Sequence, residues 1–318
     1  MEAHLTGIFP RSDQLVEATR AADRGKATQQ DVDNAVHLDV RKLLDLQRTA
    51  GLDLLVDGQL NWQDLFRPFS ELFFGIHPGR LARWFDNNTF YREPIVTDKV
   101  AFRGNGLRRY FQSQLVREQT GLKAILPGPF TFAVMSQNNA YQTLADLVDD
   151  LAHATKDTVA KLVSLGYRCV QFNDPQLCYK GSSQDAWVLA RNAYDTCAKG
   201  AGAVTVLHTY FGDAGPVTGE LLNFTVDYIG FDLYSTSLES VAQHDCDKGI
   251  GCGCVDGRNS LLESPEDIRS LISRVAEKLN PKDLFLCPNC DLEFLPYTVA
   301  EKKLQLLGSA KRLVSQQE

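Results

Sequence analysis

Short apolar runs alternate with longer amphipathic segments along almost the whole chain. The apolar runs predict eight β-strands, at Leu5–Phe9, Leu52–Asp57, Lys123–Pro127, Arg168–Asn173, Ala203–His208, Asp227–Asp232, Gly249–Asp256 and Asp283–Cys287. Between them, apolar residues recur near every 3.6 positions, most clearly over Leu144–Leu165, which predicts a helix. Ser264 before Pro265 predicts the start of another helix, and Thr298 with Glu301 predicts a capping box at the start of the last helix.

Eight strands that each precede a helix are typical of a (β/α)₈ TIM barrel in the α/β class. The runs are apolar throughout, as expected for parallel strands buried on both faces. We therefore predict one barrel domain over residues 1–318. A doubly wound sheet is the alternative fold, but no G-x-G-x-x-G follows the first strand, so a dinucleotide-binding fold has no support.

The stretch from about residue 61 to residue 119 does not fit a simple strand and helix. We predict that it is an elaborated insertion after the second strand that caps the barrel mouth. It carries many aromatic residues, which are more typical of a core than of a cofactor platform: Trp62, Phe66, Phe69, Phe73, Phe74, Trp84, Phe85, Phe90 and Tyr91.

The composition argues against a disordered, a nucleic-acid-binding and a membrane-spanning protein. The 318 residues are 44% hydrophobic, so the chain can bury a large core, and disorder as the dominant state is excluded. A net charge of -7 argues against nucleic acid as a partner, because phosphate binding needs a basic surface. No apolar run is long enough to span a membrane, and no signal-peptide pattern opens the chain, so we expect a cytoplasmic protein whose eight cysteines are reduced thiols.

Three metal-binding side chains stand at the ends of three predicted strands. The active site of a TIM barrel lies where the carboxyl ends of its strands meet. His208, Asp232 and Cys290 would meet there and offer nitrogen, oxygen and sulfur ligands, a mixture that zinc accepts. The alternative is a hydrogen-bonded histidine beside a buried thiol, since the three match no local zinc motif.

A second set of sulfur ligands competes with this one. Cys252 and Cys254 would face the same side of their strand, and Cys287 and Cys290 form a C-x-x-C after the next strand. The four could hold a structural zinc ion or an iron–sulfur cluster, although their spacing matches no ferredoxin pattern.

Three further charged residues lie near strand ends. Asp174, which precedes Pro175, is either a substrate ligand or a turn residue. Arg11 and Arg258 could bind a substrate anion, although pairing with a surface acid is the ordinary role of a single arginine.

The motifs at these strand ends, taken in order, resemble those of cobalamin-independent methionine synthase. They are GIFPRS, DGQ, LPGPFTF, VQFNDPQL, VLHTY, IGFDLYS, GCGCVDGRN and CPNCDL, and they extend from about residue 5 to residue 313. The resemblance is to the catalytic C-terminal barrel and its short single-domain relatives. It implies a TIM barrel whose zinc ion activates a thiol, homocysteine or a related one, to accept a methyl or an alkyl group. The implied donor is methyl-folate or, in some short members, a corrinoid protein.

The resemblance implies a zinc site with one ligand changed. His208, Asp232 and Cys290 match family ligands, with Asp232 replacing a glutamate. Tyr210 stands where the family has a ligand cysteine. Either three protein ligands and the substrate sulfur complete the site, or Cys254 or Cys287 supplies a fourth ligand.

The resemblance also implies an acceptor pocket lined by Thr6, Gly7, Ile8, Gln59 and Asn173, with Asp174 and Arg258 as catalytic residues. Gln59 and Asn173 replace two family acids that help to hold the ammonium group of homocysteine, and Arg258 aligns with a proposed proton-donor histidine. This loss of negative charge suggests an ammonium-free anionic thiol, as in the epoxyalkane:coenzyme M transferases. A catalytically decayed barrel that acts as a binding or accessory protein is the non-enzymatic alternative.

Overall fold

The computed structural model describes residues 1–104, 106–111, 121–179 and 184–315. Seven of its strands form one parallel sheet in the order β1-β10-β9-β8-β7-β6-β4. Their bounds are β1 Glu2–Ala3, β4 Leu122–Pro127, β6 Tyr167–Asn173, β7 Val204–Thr209, β8 Tyr228–Asp232, β9 Gly249–Val255 and β10 Leu284–Pro288. Parallel bridges from His4 to Leu54 and from Leu55 to Leu122 join the two edges of this sheet. The predicted α/β barrel is confirmed, with Leu54 and Leu55 in the place of its second strand.

Helices cover the outside of the barrel. Their bounds are α1 Asp13–Asp23, α2 Gln29–Ala50, α3 Phe69–Leu72, α4 Leu107–Tyr110, α5 Pro129–Val134, α6 Leu144–Ser164, α7 Gln184–Cys197, α8 Thr218–Leu221, α9 Leu238–Val241, α10 Pro265–Leu279 and α11 Tyr297–Ser315. Single 3₁₀ turns lie at Pro175–Leu177, Gly215–Val217 and Leu292–Phe294. Within the described residues, no helix is both long and apolar enough to cross a membrane.

Of the two helix N-caps predicted from the sequence, the one at Ser264 is present and the one at Thr298 is not. Ser264 caps α10 by accepting a hydrogen bond from the backbone N–H of Asp267 at 3.0 Å. The capping box predicted at Thr298 is wrong, because α11 already begins at Tyr297, directly after Pro296.

The first predicted strand is displaced in the structure. The chain pairs with β10 only over Glu2–Ala3, and the N–H of His4 then donates to the carbonyl of Leu286 at 3.0 Å. Residues 6–9, predicted as strand, lie outside the sheet, and the backbone N–H of Phe9 donates to the carbonyl of Gly58 at 3.0 Å. This displacement brings Gly7 and Ile8 to the site described below.

The insertion after the second strand contains a second sheet. Strand β2 (Phe73–Arg83) pairs antiparallel with β3 (Phe90–Phe102), which pairs with β5 (Gln137–Asn138). Its hairpin reaches the barrel mouth, where the Phe85 ring lies 4.7 Å from that of Tyr179 and 5.4 Å from that of Phe211. Of the predicted insertion, Asn105 and residues 112–119 lie outside the described residues.

Most aromatic side chains of the insertion form its core. Phe66 packs against Trp84, Tyr91 and Phe132, the last of which belongs to α5 after β4. Phe74 and Phe90 are exceptions, since about half of each side chain is exposed. The aromatic cluster therefore fastens the hairpin to the barrel wall.

Candidate functional site

The ends of β7, β8 and β10 bring three predicted residues to one region inside the barrel. His208 is paired with Gly230 across the β7–β8 ladder, and Asp232 ends β8. Cys290 follows β10 by two residues. All three side chains are fully buried. The three residues lie at the same end of the barrel, because the carboxyl ends of parallel strands meet there.

Asn289, which was not predicted, connects this region through its backbone and its side chain. Its carbonyl lies 2.8 Å from Nε2 of His208, and its side-chain amide donates to Oδ1 of Asp232 at 2.9 Å. Its Oδ1 accepts the backbone N–H of Gly257 at 2.8 Å. Asn289 therefore occupies the space between two of the predicted metal ligands.

The ring nitrogens of His208 do not suit a metal ion. Nε2 faces a carbonyl, so it carries the proton and donates, which leaves the lone pair on Nδ1. Nδ1 is buried without a partner and faces the backbone of β8, since a Cβ added at Gly230 would lie 2.1 Å from it. Burial lowers the pKa of His208 to about 3, so the ring is neutral.

The carboxylate of Asp232 is already saturated with donors. Oδ1 accepts from Asn289 and from the backbone N–H groups of Tyr234 and Ser235. Oδ2 accepts from the Ser235 hydroxyl at 2.9 Å and lies 3.8 Å from Nη2 of Arg258. A carboxylate offers about four lone-pair sites, so little acceptor capacity remains for a metal.

Cys290 is held as a thiol. Its Sγ donates to the carbonyl of Asp291 at 3.6 Å. Burial, followed by the charges of Asp291 and Asp232, raises its pKa well above the usual value. Metal binding needs a thiolate, and across the described residues no group of three His, Cys, Asp or Glu side chains could hold a metal ion. The residues as placed do not fit zinc.

The alternative four-cysteine site is not formed either. Cys252 and Cys254 lie in the main core, whereas Cys287 packs in a separate cluster with Phe285. The cysteine pair and Cys287 therefore point to opposite faces of the sheet. As candidates for a fourth ligand, Cys254 and Cys287 are both buried thiols, and their Sγ atoms donate to the carbonyls of Cys287 at 3.7 Å and Cys252 at 3.4 Å.

Metal analysis tests the zinc predicted from the resemblance. Because the donor atoms of His208, Asp232 and Cys290 are engaged elsewhere, we expect purified protein to contain far less than one zinc ion per chain. Inductively coupled plasma mass spectrometry on anaerobically prepared protein measures this. Cys290→Ala should not change the content, with Cys246→Ala as the control. About one zinc ion per chain, lost only in Cys290→Ala, would establish the predicted site.

Thr6 and Asn173, two residues of the predicted acceptor pocket, form hydrogen bonds within the barrel. The Thr6 hydroxyl donates to the carbonyl of Cys290 at 3.0 Å, and the Thr6 carbonyl accepts from Asn173 and Gln171. The Asn173 side-chain oxygen also accepts from Gln171 at 2.6 Å. Asn173 and Thr6 thus hold the segment after β1 against β6, and their polar groups are already paired.

Gln59 remains available for a ligand. Its side chain is buried, and neither its amide nitrogen nor its amide oxygen has a hydrogen-bond partner. A buried amide without partners costs about 1–3 kcal/mol, so such a group is more typical of a binding site than of a core.

Asp174, predicted as a catalytic residue, is buried, and both of its carboxylate oxygens accept hydrogen bonds from the protein. Its Oδ1 accepts from the backbone N–H of Thr131 at 2.8 Å and from the Thr131 hydroxyl, and its Oδ2 accepts from Tyr194 at 3.0 Å. Burial raises its pKa to about 6, although these hydrogen bonds act in the opposite direction. The contacts favour the structural role, and a catalytic role stays a prediction.

Arg258 follows the end of β9 by three residues and lies near Asp232. Its Nη2 donates to the Ser235 hydroxyl at 3.1 Å, and its guanidinium lies over the Phe211 ring at 5.5 Å. About a third of its side chain is exposed, so it carries a positive charge at the barrel mouth. Arg11 lines a groove with Asp23 and Arg109, and burial lowers its pKa while the nearby charge of Glu293 acts in the opposite direction.

The sequence did not predict two acidic residues, Asp291 and Glu293, in the loop that follows β10. Asp291 accepts the backbone N–H of Ile8 at 2.9 Å through Oδ1, and that oxygen fills the space beside Gly7, where a Cβ would lie 1.4 Å away. Glu293 lies two residues further on. Asp291 belongs to the CPNCDL motif and Glu293 directly follows it, but the prediction considered only the cysteines of this motif.

Comparison with known proteins gives consistent matches. Residues 75–280, more than half of the chain, match the family model described as cobalamin-independent synthase, N-terminal domain. The motifs were compared with the C-terminal barrel, so the match is to the same family through its other domain. Methionine synthase from Saccharolobus solfataricus is 28% identical over 316 residues, covering 98% of this chain and 94% of the relative. The Sulfurisphaera tokodaii methionine synthase is 27% identical, with 98% and 91% covered.

Solved structures share the fold. A B12-independent methionine synthase from Shewanella sp. W3-18-1, in complex with selenomethionine, matches with a TM-score of 0.82 and 18% identity, covering 99% of this chain and 98% of that one. A putative vitamin-B12-independent methionine synthase from Listeria monocytogenes matches with a TM-score of 0.79 and 17% identity, with 98% of each chain covered.

Proposed function

Because this chain belongs to the cobalamin-independent methionine synthase family, we propose that it transfers a methyl group to homocysteine or a related small thiol. At the level of the family, the protein is a methyltransferase that acts on a thiol. The observation that carries the proposal is that the similarity to relatives named methionine synthase extends over nearly the full length of both chains.

Homocysteine is the acceptor to test first. The Shewanella neighbour is described in complex with selenomethionine, an amino acid that carries a methyl group on its side-chain chalcogen. For the donor we propose methyl-folate, because the matched family is cobalamin-independent. A corrinoid protein, the alternative donor, finds no support in these matches.

The proposed reaction is an in-line displacement. The acceptor thiol gives up its proton and its sulfur attacks the methyl carbon as a thiolate. The carbon–sulfur bond forms, and the carbon–nitrogen bond of the folate breaks with its electron pair remaining on nitrogen. That nitrogen takes up a proton, so the net reaction moves the methyl group to sulfur and the thiol proton to the folate. A free thiol has a pKa near 8.5, and a neighbouring guanidinium lowers it. Arg258 is the residue we assign to this role. Fixing both reactants in the barrel mouth would supply much of the remaining acceleration.

The Arg258 assignment predicts a loss of activity on substitution. We expect Arg258→Ala to lower kcat/KM for the thiol about 100-fold, because the positive charge that holds the thiolate is removed. Arg258→Lys should lose less, since the charge remains without the planar fork. Methyl transfer from methyl-tetrahydrofolate, followed by product chromatography, measures this. Arg20→Ala, an exposed arginine of α1, is the control. An Arg258→Ala enzyme with unchanged kcat/KM would contradict the assignment.

One observation favours a second acceptor class. Gln59 and Asn173 are amides and not acids, which led to the expectation of an ammonium-free thiol. Coenzyme M in place of homocysteine tests it in the same assay. Absence of turnover with every thiol would instead favour the non-enzymatic alternative.

A further inference from the structure

Three successive backbone N–H groups in the turn that carries Arg258 each bond to a side-chain oxygen. The N–H of Asp256 donates to Oε1 of Glu263 at 2.8 Å. The N–H of Gly257 donates to Oδ1 of Asn289 at 2.8 Å, and the N–H of Arg258 donates to Oδ1 of Asp256 at 2.9 Å. The turn that follows β9 is therefore held at three consecutive residues, and one of these contacts comes from Glu263, which lies outside the site described above.

Glu263 is anchored by a buried lysine of the last helix. Lys303, in α11, is fully buried, and its Nζ donates to the same Oε1 at 2.7 Å. The Glu263 side chain is 13% exposed, so the two charges form a largely buried ion pair. The hydroxyl of Tyr234 lies 3.2 Å from this oxygen and 3.1 Å from the carbonyl of Cys254. One carboxylate oxygen thus joins α11, the turn after β9 and the loop after β8.

The guanidinium of Arg258 depends on both of these segments for its position. Its Nη2 donates to the Ser235 hydroxyl at 3.1 Å and lies 3.8 Å from Oδ2 of Asp232, at the end of β8. Tyr234, which lies between these two residues in the chain, contacts Glu263. Glu263 therefore touches the turn from which the arginine side chain starts and the loop on which its head group rests. A functional side chain is placed accurately when its surroundings are fixed in this way.

We propose that Glu263, held by Lys303, is a positioning residue that fixes the Arg258 guanidinium at the barrel mouth for the thiolate of the acceptor. A guanidinium stabilises a thiolate only while it stays close to the sulfur. A misplacement of about 1 Å, caused by a change away from the reacting atoms, can cost about 100-fold in rate. The inference rests on the proposed function, because that function assigns Arg258 to the thiolate. It adds that α11 takes part in the site through its buried lysine.

The ion pair can be replaced without leaving a buried charge. Glu263→Leu alone would leave the Lys303 ammonium buried without its partner. Glu263→Leu together with Lys303→Met replaces both charges by apolar side chains of similar volume, an exchange that is often neutral for stability. We therefore expect this double variant to unfold near the wild-type temperature, while the Asp256 N–H loses its acceptor. Glu277→Leu together with Lys302→Met makes the same two exchanges at exposed positions of α10 and α11, and is the control.

Amide hydrogen exchange, followed by mass spectrometry, tests the positioning without any turnover. Exchange over residues 255–258 should be about 10-fold faster in the double variant than in wild type, because the turn loses one of its three contacts. The control variant should exchange like wild type. Glu263→Gln, which keeps an acceptor oxygen but loses the charge, should show a smaller increase, and it decides the test if the double variant does not fold. Wild-type exchange rates in the folded variants would overturn the inference.

Methyl-transfer kinetics test whether Glu263 acts through Arg258. We expect the double variant to lower kcat/KM for the thiol about 10-fold. In an Arg258→Ala background, the same two exchanges should change kcat/KM by less than about 2-fold, because the group that they position is already absent. The acid limb of kcat against pH, which reports the pKa of the bound thiol, should move toward the free value near 8.5. A purely structural ion pair predicts instead that the folded double variant is as active as wild type.

The outcomes separate this inference from the proposed function. Full activity in the folded double variant, or an equal loss with and without Arg258, would overturn the inference and retain the function. If wild-type protein transfers a methyl group to no thiol, the function fails, and hydrogen exchange alone decides whether Glu263 fixes the turn. Thermal unfolding checks that each variant is folded at the temperature of the assay.

Discussion

Asp174→Ala is expected to lower the free energy of unfolding by about 4 kcal/mol. The substitution leaves the backbone N–H and the hydroxyl of Thr131, together with the hydroxyl of Tyr194, buried without their acceptor. Each buried donor that loses its partner costs about 1–3 kcal/mol. Urea unfolding followed by circular dichroism measures the change, with the m-value showing whether the transition stays two-state.

The same variant decides between the two roles of Asp174. At a temperature where the variant is folded, we expect kcat to stay near the wild-type value, because both carboxylate oxygens bond to the protein. Asp157→Ala, at an exposed position of α6, should change stability by less than about 0.5 kcal/mol. A fully folded Asp174→Ala protein with a greatly reduced kcat would support the catalytic role predicted from the sequence.

Gly308→Ala is expected to lower the free energy of unfolding by about 2 kcal/mol. Gly308 lies within α11, and a Cβ there would be 1.9 Å from the carbonyl oxygen of Ala50 at the end of α2. The obstacle is backbone and cannot rotate away, so the two helices must separate. Overpacking of this kind costs about 1–3 kcal/mol, against which alanine regains up to about 1 kcal/mol of helix propensity.

Thermal and urea unfolding of Gly308→Ala test this close approach. Ser309→Ala, the adjacent position of the same helix, is the control, because it changes the helix without adding an atom toward Ala50. A Gly308→Ala protein that is more stable than wild type would show that α11 and α2 are not in contact as described.

The barrel could be predicted from local patterns because its strands are apolar runs. Seven predicted strands correspond to observed strands or to the bridged pair Leu54 and Leu55, usually within one or two residues. The first strand was misplaced, because residues 5–9 are mostly apolar and buried although they lie outside the ladder. Burial alone does not distinguish a strand from a buried loop.

For the candidate site, the strand order could be predicted from the sequence, whereas the bonding of the side chains could not. His208 and Asp232 lie at the ends of the adjacent strands β7 and β8, and Cys290 follows β10, which β9 separates from β8. Whether their donor atoms converge depends on Asn289, whose carbonyl and amide bond to two of them. An asparagine between two cysteines carries no sequence signal for that position.

The sequence by itself determined the alternation of strands and helices and therefore which residues reach the barrel mouth, because hydrophobic periodicity is a local property. Only the tertiary structure decided what those residues bond to. His208 faces Gly230, Asp174 faces Thr131 and Tyr194, and Asp291 fills the space beside Gly7. Each contact joins segments that are distant in the chain, and its geometry depends on side-chain orientation and available volume, which no local pattern encodes.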